Sequence, residues 1–272
     1  MKGGNKMSST GDKIGQVYFV GAGPGAVDLI TVRGKNLLEK ADCVIYAGSL
    51  VNPEILSYVP SVCRIYNSAI MTLEEVLVVM CREYKKGSRV IRLHTGDPSV
   101  YGAIREQMDA LRQAGIPFSI VPGVSSFCAA AAAAQLEYTL PGVSQSVIIT
   151  RMQGRTPVPD KQQIQDYVEH GATLVIFLSS HMLRELQSVL LKSGMAADMP
   201  AMIVYKASWP EEKVLSCTVQ TLADTGEKEE IHHTALIVIG RVLLDGYERS
   251  LLYHPNFSHH FRKGKKGEKD YD

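Results

Sequence analysis

Along the first half of the chain, short runs of consecutive apolar residues alternate with longer segments whose apolar positions recur at helical spacing. The stretches "QVYFVGAG", "CVIYAG", "RVIRLHTGD" and "PFSIVPG" read as strands running into turns, and "ITVRGKNLLEKA", "NPEILSYV", "MTLEEVLVVMCREYKKG" and "SVYGAIREQMDALRQAG" as helices between them. Strand and helix in alternation predict a mostly parallel sheet covered on both faces. In "TLEEVLVVMCREYKKG", Thr72 stands as an N-cap with Glu75 three residues on, and Gly87 supplies the stop.

Residues 123–134, "GVSSFCAAAAAA", predict an Ala-rich helix whose small side chains suit close packing, bridging to a second set of strands and helices. That set runs through "SQSVIITR", "KQQIQDYVEHG", "TLVIFLSS", "HMLRELQSVLLKSG", "PAMIVYKAS", "EKVLSCTVQTLAD" and "TALIVIGRVL". The expected fold class is α/β: two sequential α/β lobes, residues 15–122 and residues 123–252 including the Ala-rich helix. Clefts between domains are where small-molecule sites concentrate, so the active site is expected between the lobes. The Gly/Ser/Lys-rich residues 1–14 read as a disordered lead, with Met7 as an alternative start, and the basic residues 253–272 as a solvated tail.

Charge narrows the class. With 29 basic against 28 acidic residues there is no global bias, which speaks against a nucleic-acid partner held by bulk electrostatics. No apolar run approaches the roughly 20 residues a membrane span needs, and the polar first residues lack a signal-peptide core, so a cytoplasmic protein without a membrane partner is expected. Cys43, Cys63, Cys81, Cys128 and Cys217 form no C-x-x-C pair and lie mostly in apolar segments, where buried thiols are expected. The eight histidines show no ligand spacing, and no metal site is expected.

The candidate chemistry sits at strand ends. "VYFVGAGPGAVDLIT" places Gly21, Gly23 and Ala26 at the spacing of a dinucleotide fingerprint. Pro24, however, removes an N–H that a pyrophosphate would use, and Asp42 stands before the second strand rather than at its end, where a ribose-binding acid belongs. In "RLHTGDPSVYG", a strand ends at His94, Thr95 and Gly96, and the turn Asp97–Pro98 leads toward a helix. Gly96 lets a ligand approach the backbone, and Asp97 is either an N-cap or a group that polarises or positions a reacting atom.

The blocks "VGAGPGAVDLIT", "TGDPSVYG", "VPGVSSFCAAAAA" and "ITRMQGRTPVP" together resemble the signature of the S-adenosylmethionine-dependent tetrapyrrole methylases, in the right order, across residues 16 to about 262. The wording "YAGSLVNPEIL", "VYKASWPEEK" and "LYHPNFSHHFRK" is similar to the branch that methylates ring carbon 11 of precorrin-4-type corrin precursors. This resemblance implies S-adenosylmethionine as methyl donor, a tetrapyrrole substrate and a homodimer. It implies donor contacts at Thr95, Gly96, Asp97, Tyr101, Ser125, Ser126, Phe177, Leu178, Ala207, Thr234, Ala235 and Leu236, and places the Gly-rich loop, Gly23, Pro24 and Gly25, against the tetrapyrrole. Several relatives carry an arginine where this chain has Ala103; here the nearest is Arg105.

A polycarboxylate substrate calls for cations, and Arg33, Arg151, Arg155 and Lys206 are the candidates, because guanidinium forks match carboxylates. Tyr101 and Trp209 are candidates to line the substrate trough, with packing the other role open to Trp209. The competing readings are methylation of another carbon of a precorrin or uroporphyrinogen, an NAD-dependent dehydrogenase using "GAGPG", and a module that binds a tetrapyrrole without turnover. Methylases of translation factors or ribosomal RNA share the donor blocks, but the near-neutral charge and the branch-specific wording weigh against them.

Overall fold

The computed structural model describes residues 15–264. The lead expected at residues 1–14 and the end of the tail, residues 265–272, lie outside the described residues. The chain forms two compact units: one holds residues up to Ala130 together with Lys206–Glu212, the other holds Ala131–Tyr205 and the chain from Lys213 onward.

The first unit is a parallel sheet. Its strands are β1 (Gln16–Gly21), β2 (Cys43–Tyr46), β3 (Arg64–Asn67), β4 (Arg89–His94) and β5 (Phe118–Val121), in the order β3-β2-β4-β1-β5. Every neighbouring pair is parallel. Alternate residues of each strand point to opposite faces, so both faces can be apolar and buried. Phe19, Ile45 and Val90 pack on one side with Val76 and Met80 of α2 (Leu73–Lys85) and Leu111 of α3 (Arg105–Gln113). Val20, Val44, Ile91 and Leu93 pack on the other with Leu38 of α1 (Val32–Leu38) and Ile55. Burying a side chain such as the fully covered Phe19 contributes about 1.5–3 kcal/mol.

The expected start and stop of α2 are both present. Thr72 Oγ1 accepts from the Glu75 amide at 3.3 Å while Glu75 Oε2 accepts from the Thr72 amide at 2.8 Å, and Gly87 turns the chain at φ +77°. Such a cap is worth about 1 kcal/mol. The helix expected directly after Pro98 is not formed: residues 98–101 make a turn and α3 starts only at Arg105. Tyr101 (φ +54°) and Ala103 (φ +48°) adopt left-handed backbone, which a right-handed helix does not accommodate. Asp97 is therefore no N-cap; Ile104 takes that position, without a side-chain cap. "NPEILSYV" forms a 3-10 turn, Pro53–Tyr58, capped by Asn52.

The second unit carries β6 (Val147–Arg151), β7 (Thr173–Phe177), β8 (Pro200–Tyr205), β9 (Lys213–Thr218) and β10 (Ala235–Ile239), ordered β6-β7-β10-β8-β9. Only β6 and β7 run parallel; β10 enters against β7 and β8, and β9 against β8. Leu174, Ile176, Ile203 and Ile237 of this sheet meet Leu186 and Leu190 of α5 (Leu183–Lys192) and Leu222 of α6 (Leu222–Lys228). "KQQIQDYVEHG" forms two 3-10 turns, Asp160–Gln162 and Ile164–His170.

The Ala-rich helix α4 is Ser126–Ala133, shorter than the stretch expected, and the division between units falls within it at Ala130 rather than before residue 123. Among the cysteines only Cys43 is buried; Cys63, Cys81 and Cys217 are half-buried and Cys128 is exposed. Burial pushes the Cys43 thiol up to about 12, so it is an unreactive packing group. The described part of the tail is gathered around Arg262, whose guanidinium donates to the carbonyls of Leu252, His254 and Phe257.

Candidate functional site

In the first unit the loops leaving β1, β4 and β5 converge at the carboxyl ends of the strands. Ala22 N–H donates to the His94 carbonyl at 2.7 Å, and Gly23 and Gly96 exchange hydrogen bonds of 3.3 and 2.7 Å. A Cβ on Gly21 would stand 2.5 Å from the Gly96 oxygen and 2.6 Å from Gly123 Cα, so three backbones share a space that side chains would fill. At Gly96 a Cβ would meet Ser125 and Ser126 only at 3.5 Å, so glycine is favoured there by its left-handed φ of +57° and not by want of space.

A segment distant in sequence clamps the Gly-rich loop. Ala26 N–H donates to Ser208 Oγ at 3.0 Å, Trp209 Nε1 to the Pro24 carbonyl at 3.1 Å, and the buried Asn52 side chain to the Gly25 carbonyl at 3.0 Å. Gly23, Pro24 and Gly25 are all buried. Ala22, Gly23 and Ala26 spend their N–H groups inside the protein and Pro24 has none, so the loop is not an amide cradle for a pyrophosphate. The dinucleotide fingerprint is matched in letters but not in chemistry. Lys206 Nζ pairs with Glu211 at 3.0 Å and lies 5.5 Å from the centre of the Trp209 ring, while the Ser208 amide donates to Glu212 at 2.5 Å. Lys206 and Ser208 take φ values of +46° and +69° on either side of the buried Ala207.

Asp97 ties two of the loops together. Oδ1 accepts from the Ser99 amide at 2.8 Å and from the Ser99 hydroxyl, and Oδ2 from the Gly123 amide at 2.8 Å. Burial by itself raises the pKa of this carboxyl, but the Ser99 hydroxyl and the Gly123 and Ser99 amides outweigh it and hold the group below its ordinary value. A carboxylate held in this way braces the loops after β4 and β5 against each other. Below it His94 is buried and stacked 6.2 Å from Phe19, with burial and the nearby Arg92 pushing its pKa down to about 3. The imidazole is therefore neutral at physiological pH.

The remaining residues nominated from the sequence lie elsewhere. Arg33 is exposed on α1, and Tyr101 is exposed beyond Asp97. In the second unit, Arg151 pairs with Phe177, and Ala235 and Leu236 pair with Tyr205 and Val204, so the nominated strand residues share one edge of that sheet. Phe177 is buried, whereas the next residue, Leu178, is exposed at φ +54°, and Thr234 enters β10 at φ +53°. The buried Ser179 hydroxyl accepts from the Met152 amide at 2.9 Å and donates to the Phe177 carbonyl at 2.7 Å, tying the ends of β6 and β7.

Beside this edge is a cavity of about 410 Å³ lined by Arg151, Met152, Arg155, Leu178, His181 and Met182, among others, with no acidic side chain in its lining. Arg151 is occupied, donating to the carbonyls of Met152, Thr156 and Pro157. Arg155 is exposed and has no ion-pair partner among the described residues. The sequence does not single out Asn52, Ser208 or Ser179, whose fold contacts a linear motif does not display, nor His181, which lines the cavity. Among the described residues no three of His, Cys, Asp and Glu are grouped to hold a metal ion, and no helix is long and apolar enough to cross a membrane.

Two α/β sheets, each presenting strand-end loops with left-handed residues, are the architecture of a known enzyme class, and the sequence profile of the Tetrapyrrole (Corrin/Porphyrin) Methylases matches residues 16–223. The chain belongs to that family. It is 48% identical over 252 residues, covering 92% of this chain and 97% of the relative, to a cobalt-precorrin-4 C(11)-methyltransferase of Methanocaldococcus jannaschii. The X-ray structure of a cobalamin biosynthetic enzyme, cobalt precorrin-4 methyltransferase, is similar with a TM-score of 0.82 and 43% identity, over 84% of this chain and 96% of that one. A uroporphyrin-III C-methyltransferase of Thermus thermophilus, solved with S-adenosyl homocysteine, is similar with a TM-score of 0.71 and 27% identity, over 84% of this chain and 98% of that one.

Proposed function

We propose that this protein transfers the methyl group of S-adenosylmethionine to ring carbon 11 of precorrin-4 or its cobalt form, a step of corrin building. The observation that carries this reading is the 48% identity, along nearly the whole of both chains, to a relative named for that reaction. Geometry adds support. Leu178 and Lys206, which directly follow β7 and β8, Thr234, which directly precedes β10, and Tyr101, in the loop between β4 and α3, are all nominated as ligand contacts and hold left-handed backbone. Such strain collects where a ligand must be shaped around, and it persists only when the surroundings enforce it.

The donor set suits this cofactor. S-adenosylmethionine carries no phosphate, and in the loop after β1 the amides of Ala22, Gly23 and Ala26 are spent within the protein while Pro24 has none. Thr95, Gly96, Asp97, Tyr101, Ser125, Ser126 and Ala207 are assigned as donor contacts in the first unit, and Phe177, Leu178, Thr234, Ala235 and Leu236 in the second. When bound, the donor supplies an electrophilic sulfonium methyl that is displaced in line by an electron-rich ring carbon, leaving S-adenosylhomocysteine. The loops orient the reactants, and the apolar lining excludes water. Asp97 braces the loop. The substrate's carboxylates fall to the cations: Arg155 directly, Arg151 by shaping the loop that carries it, with Arg33, Lys206 and the Gly23–Gly25 loop as further contacts. A cytoplasmic homodimer completes the reading, and sedimentation of the purified protein tests its oligomeric part.

The primary test is turnover with donor labelled by carbon-13 on the methyl, followed by NMR of the product. Label at carbon 11 is the expected result; label at another ring carbon establishes the alternative acceptor position. Calorimetry with S-adenosylhomocysteine and, separately, NADH tests the donor: binding of the first and none of the second is expected, and the reverse overturns the reading.

A further inference from the structure

Arg92 is 7% exposed, and among the described residues no carboxylate pairs with it. Its Nε donates to Gln107 Oε1 at 3.1 Å and a terminal nitrogen donates to the Ile45 carbonyl at 3.2 Å. A buried guanidinium that meets only neutral acceptors is a costly arrangement, which burial alone pushes down to a pKa of about 10. It has one definite consequence. Guanidinium groups donate and never accept, so the amide of Gln107 must turn its oxygen toward Arg92 and its nitrogen the other way.

That nitrogen donates to the Ala103 carbonyl at 3.1 Å. Gln107 is 5% exposed, and both ends of its amide find their partners within the protein. The carbonyl it holds belongs to a residue at φ +48°, two positions after Tyr101 at φ +54°, in the stretch that interrupts the expected helix. Gly102 between them is pressed against the Pro98 carbonyl, so the loop has little slack. From β4 to α3 the path is continuous: Arg92 orients Gln107, and Gln107 pins Ala103.

We propose that Gln107, oriented by Arg92, is a positioning residue that holds residues 98–104, and with them Tyr101, in the conformation the methyl donor requires. This rests on the assignment of that loop to the donor. The informative variant is Gln107→Glu. It keeps the side chain's size and gives Arg92 the counter-charge it lacks, but it replaces the N–H aimed at Ala103 with an oxygen that repels the carbonyl. A merely structural role predicts that this variant behaves as wild type, because the buried charge becomes better compensated.

Three quantities are measured on the full chain: the melting temperature, the affinity for S-adenosylhomocysteine, and hydrogen exchange over residues 98–104. The expected result is a melting temperature at or above that of wild type, affinity about tenfold weaker, and faster exchange confined to the loop. A well-folded Gln107→Glu protein with affinity within about twofold of wild type and unchanged loop exchange overturns the proposal. Should Gln107→Glu fail to fold, the apolar pair Arg92→Leu with Gln107→Met removes charge and amide together and is held to the same two outcomes. If wild type itself does not bind S-adenosylhomocysteine, the donor assignment fails, and loop exchange, which needs no ligand, still decides whether Gln107 holds the loop.

Discussion

Gly25 lies against the indole of Trp209, close enough that a Cβ on the glycine would stand 2.1 Å from Cδ1 and 2.2 Å from Nε1 of the ring. The same Nε1 donates to the Pro24 carbonyl at 3.1 Å, so the N–H edge of the ring is locked against the loop backbone. The only tryptophan in the chain is thereby given a role, as the lid that fixes the Gly-rich loop from a segment of distant sequence.

Replacing Gly25 with alanine is expected to force Trp209 aside and destabilise the protein by about 1–3 kcal/mol, the usual cost of overpacking. Trp209→Ala should also destabilise, but the double variant should cost clearly less than the sum, because the alanine at 25 then meets an empty space. Thermal or urea unfolding of the four proteins measures this coupling. Strict additivity would mean that indole and loop do not share their space in solution.

Asp97 offers a test by pH. Its carboxyl is held below its ordinary value when folded, so the unfolded chain binds the proton more readily, and the associated stability is present above the unfolded pKa of roughly 3.9 and lost as pH falls through the folded value. Asp97→Asn removes this dependence and replaces one acceptor with an NH₂ facing an amide N–H or a hydroxyl. Acid unfolding below pH 4 is therefore expected to be less steep in the variant, and stability at neutral pH lower. Donor affinity should fall with the loosened loop, and calorimetry with S-adenosylhomocysteine measures it.

His94 gives the opposite end of the acid range. Its folded pKa of about 3 lies below the unfolded value of roughly 6.5, so between these values the unfolded state holds a proton that the folded state does not. Stability from this site is thus complete above pH 6.5 and declines as pH drops toward 3. Wild type should be less stable to urea at pH 5 than at pH 7, and His94→Leu should show a smaller difference between the two. An equal pH dependence in both proteins would assign the acid sensitivity to other groups.

The alternation of strands and helices, the cap and stop of α2 and the Ala-rich helix could be read from sequence because each depends on local spacing: Thr72 and Glu75 find each other within one turn. The family blocks were legible for a related reason, since they are the strand-end loops and remain contiguous in the chain. What could not be read depends on distance. Ser208 and Trp209 reach a loop more than 180 positions away. Nothing in "GDPSVYGAIRE" displays that Tyr101 and Ala103 turn left-handed, because neither is glycine, and it is the buried Arg92 and Gln107 that hold the carbonyl there. The antiparallel entry of β10 was equally hidden, since an apolar run gives no direction.

The sequence offers Arg151 and Arg155 for the same task, but the structure separates them. Arg151 donates to three carbonyls of its own loop, while Arg155 has its guanidinium uncommitted to any acid among the described residues, beside the cavity that also holds His181. Arg155→Ala should leave the melting temperature nearly unchanged and weaken binding of a polycarboxylate tetrapyrrole about tenfold, the loss of one charge-assisted pair, with S-adenosylhomocysteine affinity retained. Arg151→Ala should instead lower stability by about 0.5–1.5 kcal/mol, because the loop loses the hydrogen bonds that the guanidinium makes to the Met152, Thr156 and Pro157 carbonyls, and weaken the tetrapyrrole only through the loosened loop. Titration of both variants with uroporphyrin III, followed by absorbance, separates the two roles. If Arg155→Ala bound the tetrapyrrole as wild type does, the cavity at the end of β6 would not be where the substrate's carboxylates are held.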